Sequence, residues 1–135
     1  MSSQTTVLIV EDEAPLRNLW CQTLRRHGYL AITAATVQDA EEIKQQLGPG
    51  AIDVVVTDVN LSDDPSRQEG YALFQRWTAA SPAPAFVLIS GAASSQTLPA
   101  VRSGAVRLLV KPFPLTTLLD AVRALLDRQS HPSQS

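Results

Sequence analysis

Five short apolar runs recur along the chain, separated by stretches with helical spacing. The runs are 6–10 (TVLIV), 29–34 (YLAITA), 52–57 (IDVVVT), 85–90 (AFVLIS) and 105–110 (AVRLLV). Four are rich in β-branched residues and read as buried on both faces, the pattern of strands in a parallel sheet. Between the first two, Leu16, Leu19, Trp20, Thr23 and Leu24 recur at helical spacing, and Gly28 supplies a stop. Thr36 with Asp39 predicts an N-terminal cap for a second helix, whose stripe is Ala40, Ile43 and Leu47 and which Gly48-Pro49-Gly50 ends. Leu73, Phe74 and Trp77 mark a third helix. Leu115, Leu118, Leu119, Val122 and Leu126 mark the last. This alternation predicts an α/β fold, with right-handed crossovers and helices on both faces of a parallel sheet.

The 135 residues suit one domain, and 44% hydrophobic content suffices for a core. The domain is expected over 5–128, with 129–135 as a disordered polar tail. The 11 Lys and Arg residues are scattered and the net charge is −2, which argues against a nucleic-acid partner. Cys21 is the one cysteine, so no intrachain disulfide forms. With two distant histidines it makes no zinc framework. No apolar run approaches the ~20 residues of a membrane helix. Met1-Ser2-Ser3-Gln4 lacks the basic and apolar segments of a secretory signal, so a cytoplasmic location and no membrane partner are expected.

Ligands of such sheets bind beyond the carboxyl ends of the strands. The first strand ends in Glu11-Asp12-Glu13, the third in Asp58, the fourth in Ser90-Gly91 and the fifth in Lys111-Pro112. The second leads only to Ala34-Ala35-Thr36, which suits an edge position. Like charges crowded at one strand end repel and favour protonation, so a cation is expected there. Glu13 lies at the start of the first helix, where a negative charge is favourable without any ligand role.

Together, Glu11-Asp12, Asp58 ending an apolar strand, Ser90 followed by a small residue, and Lys111-Pro112-Phe113 resemble the receiver domain of two-component response regulators, over about residues 5–128. The resemblance implies a flavodoxin-like, doubly wound sheet of five parallel strands in 2-1-3-4-5 order, with five helices. It implies that Asp58 accepts a phosphoryl group from a sensor histidine kinase or a histidine phosphotransfer protein. Lys111 would pair with that group across a cis Lys-Pro bond, and Ser90 would donate its hydroxyl to it. Mg²⁺ would be bound directly by Asp12, Asp58 and the backbone carbonyl of Asn60, and by Glu11 through a water. The module would catalyse only its own phosphoryl transfer and dephosphorylation. It would signal to a downstream protein partner as a monomer or weak dimer.

Three departures stand out. The segment after Asp58 is about four residues longer than the family's usual loop: Ser62 stands where the family has proline, and Gly70 comes twelve residues after Asp58 where the usual glycine comes eight after it. Pro99 falls inside the fourth-helix segment, where an interior proline costs ~3 kcal/mol or more and so shortens or delays the helix. Leu108 replaces the aromatic usual in the fifth strand, which points to output through the site loops. A stand-alone phosphorylatable receiver is the leading reading; the terminal receiver of a hybrid kinase is another origin for the same sequence. The alternative is the same fold as a constitutive protein-binding module with phosphorylation idle. A flavodoxin-like electron carrier is rejected, because three acids after the first strand would repel a flavin phosphate. Trp20 and Trp77 read as core residues, with Trp20 too far from the site to report on it.

Overall fold

The structure, a computed structural model, describes residues 4–61, 68–91 and 106–130. In chain order the elements are β1 (Thr6–Val10), α1 (Ala14–Arg26), β2 (Leu30–Ala34), α2 (Val37–Leu47), β3 (Val54–Asp58), α3 (Glu69–Thr78), β4 (Ala85–Ser90), β5 (Val106–Val110) and α4 (Leu115–Ser130). All strand pairs are parallel and the order is β2-β1-β3-β4-β5, as the resemblance implied. Four helices lie among the described residues. The expected fourth-helix segment with Pro99 lies outside them, as do residues 131–135 of the expected tail.

The period-2 geometry of the strands divides the core into two layers. Val7, Ile9, Val54, Val56, Val87 and Ile89 face α1 and α4, where Trp20, Leu24, Leu118, Val122 and Leu125 close over them. Leu8, Val10, Val55, Phe86 and Leu88 face α2 and α3, meeting Ala40, Leu73, Phe74 and Trp77. β3 and β4 are buried along their whole length and β1 from Val7 on, while β2 and β5 are partly exposed edges. The second strand thus occupies an edge, as expected.

Local signals act as the sequence suggests. Thr36 Oγ1 accepts from Asp39 N–H at 3.0 Å, and Gly48 ends α2 at φ +92°. Two stripe positions differ from expectation: Leu19 and Leu47 are 44% and 43% exposed. The buried side of α1 is instead Trp20, Cys21, Thr23 and Leu24, the strip turned to β1, β2 and α4. β3 begins at Val54, two residues later than the spacing predicts, and includes Asp58. Asp53 serves as its lead-in: its N–H donates to Thr6 O at 2.9 Å and its carboxylate accepts from Thr6 N–H at 2.8 Å. No helix among the described residues is long and apolar enough to cross a membrane.

Phe86 is fully buried on β4 and meets Phe74 and Trp77 of α3 edge-on, at 5.1 and 6.3 Å between ring centroids. Truncating it leaves a cavity that rigid neighbours cannot fill. Phe86→Ala should cost about 3–5 kcal/mol in urea unfolding, whereas Leu30→Ser on the exposed edge should stay within about 0.5 kcal/mol.

Candidate functional site

The carboxyl ends of β1, β3, β4 and β5 bring the polar residues of the sequence reading to one rim. Asp58, the last residue of β3, is 6% exposed. Its Oδ2 accepts from Lys111 Nζ at 2.6 Å and its Oδ1 from Asn60 N–H at 2.9 Å. Lys111 is aimed by its own backbone: its N–H donates to Ser90 O at 2.9 Å, and the Lys111–Pro112 peptide is cis, as the resemblance implied.

Glu11 is fully buried at the end of β1. Its Oε2 accepts from Glu13 N–H at 3.0 Å, while Oε1 has no partner. Burial pushes its pKa up to about 8; the Asp12 side chain and the Asp58 charge add to the rise, and the Glu13 N–H and Lys111 oppose it. Burial by itself would lower the Lys111 pKa, but the bond to Asp58 and the charges of Asp58, Glu11 and Glu13 leave it raised.

Asp12 sits exposed beside Glu11, and among the described residues no three His, Cys, Asp or Glu side chains converge into a ready-made metal cage. Mg²⁺ needs no such cage, since it keeps several waters and takes one or two carboxylates. The polar atoms left over fit such a guest. Among the described residues, Glu11 Oε1, Asn60 Oδ1 and Ser90 Oγ are buried without a partner. A buried polar group left unpaired costs ~1–3 kcal/mol. All three belong to residues at the carboxyl ends of β1, β3 and β4, where a cation and an anionic group would satisfy them.

Gly70 shows its role only in three dimensions. A Cβ there would lie 1.7 Å from Asp58 O, so the first turn of α3 rests directly on the backbone of Asp58. Gly70 N–H donates to Val59 O at 2.9 Å, and Gln68 just before it takes a left-handed φ of +43°. The sequence marked this glycine as displaced; its spacing carried no sign of the contact. Residues 62–67 of the longer loop lie outside the described residues. Two other contacts had no sequence signal. Arg17 Nη1 donates to Glu11 O at 2.9 Å. Trp20 stacks on Phe113 at 6.1 Å, two residues beyond Lys111, so it is a core residue as read but a neighbour of the site.

This geometry agrees with known proteins. The family model described as the response regulator receiver domain matches residues 7–123. The chain therefore belongs to the response regulator receiver domain family, with its CheY-like structural neighbours. It is 33% identical to the sensor kinase CckA of Brucella abortus (strain 2308) over 132 residues, covering 96% of this chain and 13% of that protein. It is 32% identical to the transcriptional regulatory protein PmrA of Pectobacterium parmentieri over 130 residues, covering 96% of this chain and 55% of that one. A response regulator receiver protein from Sinorhizobium medicae WSM419 superposes with a TM-score of 0.76 at 28% identity, covering 93% of this chain and 96% of that chain. The chain thus spans from about an eighth to a little over half of these two curated relatives.

A pH dependence follows from Glu11. With its pKa raised from 4.5 to about 8, the metal-free native state holds a proton that the unfolded chain releases between those values. Stability should fall as pH rises from about 4.5 through 8. Glu11→Gln should remove this slope in urea unfolding with chelator present. It should match wild type near pH 4.5 and exceed it by up to roughly 4 kcal/mol near pH 8. Gly70→Ala should cost at least about 3 kcal/mol in the same assay, because the collision is with backbone.

Proposed function

We propose that the chain is a phosphoacceptor of a two-component phosphorelay, with Asp58 as the nucleophile. The observation that carries this reading is the part-buried Asp58–Lys111 pair, at 2.6 Å, with the partnerless oxygen of Glu11 and hydroxyl of Ser90 on the neighbouring strand ends. A phosphohistidine of a sensor histidine kinase or phosphotransfer protein is the donor. An Asp58 carboxylate oxygen forms the new O–P bond as the P–N bond breaks, and the imidazole keeps the electron pair. The negative charge spread over the phosphoryl oxygens needs neutralising, and the chain contributes the Lys111 ammonium and the Ser90 hydroxyl. Asp12, Asp58 and the Asn60 backbone carbonyl would hold Mg²⁺, with Glu11 acting through water. The metal, when bound, neutralises charge on the transferring group.

The chemistry proposed is confined to the chain's own phosphorylation and dephosphorylation. Output passes to a protein partner. Leu108, half-buried on β5 and paired in register with Leu88, has no ring to swing inward when Ser90 engages a phosphoryl group. The rearrangement is therefore expected in the loops at the strand ends.

Incubation with acetyl phosphate and Mg²⁺ should add one phosphoryl mass to the intact protein. Asp58→Asn, or wild type with chelator, should add none. Equal labelling of Asp58→Asn would remove Asp58 from its role.

A further inference from the structure

A cleft lies at the pole opposite the Asp58 rim, between the α2–β3 and α3–β4 connections, and holds about 460 Å³. That size is within the range of roughly 300–1,000 Å³ of small-molecule sites. Ile52, Trp77, Pro82 and Pro84 give it apolar walls. The connections that frame it are rich in proline and glycine: Pro49 stands between Gly48 and Gly50, which sit at φ +92° and +77°.

The charges around the cleft are not equivalent. Glu41 is fully engaged: its Oε2 accepts from Arg76 Nη2 at 2.6 Å and its Oε1 from Trp77 Nε1 at 3.0 Å. That arrangement neutralises Arg76 and ties α2 to α3. Asp53 turns one carboxylate oxygen to the backbone N–H of Thr6 in β1. Lys44 is the cation left over. Its ammonium stands 5.4 Å from the centre of the Trp77 ring, and among the described residues no carboxylate pairs with it. A cation resting on an aromatic face keeps its other donors free for an anion.

We propose that this cleft binds a small organic acid with a flat apolar body, its carboxylate on Lys44 and its body against Ile52, Pro82 and Pro84. The site is separate from the phosphoacceptor rim, since it gathers residues around the amino ends of β3 and β4 and none at their carboxyl ends.

The test titrates naphthalene-2-carboxylate into the ¹⁵N-labelled full chain and follows amide and indole resonances, with naphthalene-2-carboxamide as the uncharged control. Saturable shifts are expected at the Trp77 indole N–H and at the Gly50 and Ser81 amides, with Kd below about 1 mM. The carboxamide and the Lys44→Gln variant should each bind about tenfold more weakly, while Lys44→Arg should retain binding. The proposal falls if no saturable shift arises by about 5 mM, if the carboxamide binds as tightly as the acid, or if the shifts centre on Asp58 and Lys111. The carboxamide comparison uses unaltered protein, so it decides the matter even if a Lys44 variant misfolds.

Discussion

A parallel sheet whose central strands are buried on both faces leaves few places for polar chemistry. β1 from Val7 on, and all of β3 and β4, have side chains sealed under helices, and a charge on either face would be desolvated without a partner. The ends of the strands are the exits. Because the strands are parallel, all carboxyl ends meet at one rim, and residues more than fifty apart in the chain become neighbours. The Asp58–Lys111 ion pair, the Glu11 carboxylate and the Ser90 hydroxyl stand together for this reason. The helices and connections that frame the rim follow from the same packing.

The rim carries more negative charge than its one lysine can answer. Lys111 gives its shortest contact to Asp58, and Glu11, fully buried beside it, is left with one unpartnered oxygen and a pKa near 8. Such an arrangement costs stability in the empty protein. The cost is tolerable where a divalent cation and a phosphoryl group complete the set, because each then meets oxygens that are already desolvated and in place.

Two helices act as supports of this rim. α3 presses its first turn against the carbonyl of Asp58, a contact that only glycine at position 70 allows. α1 lays Trp20 on Phe113 and so braces the connection that carries Lys111. At its other end α3 is locked to α2 by Glu41, through Arg76 and the Trp77 indole. The helix that rests on Asp58 is therefore pinned at both poles of the sheet.

Much of this was legible in the residues themselves. Runs such as VLIV and VVVTD can be stable only where both faces are covered, so strand positions, parallel pairing and the polar rim follow from composition and period. Thr36 and Gly48 announce the ends of α2 because capping is local chemistry between residues a few positions apart. Resemblance supplied the strand order and the roles expected of Asp58, Lys111 and Ser90. What the sequence could not decide depends on which backbones touch. The use of Gly70 follows from α3 landing on Asp58, although the loop before it has grown. Trp20 reads as an ordinary core residue until packing sets it on Phe113, and Leu19 reads as core until the sheet fails to reach it. The pKa of Glu11 likewise belongs to the assembled rim. Periodicity and capping act over neighbouring residues, whereas steric contact, desolvation and the fields of distant charges exist only once the chain has closed.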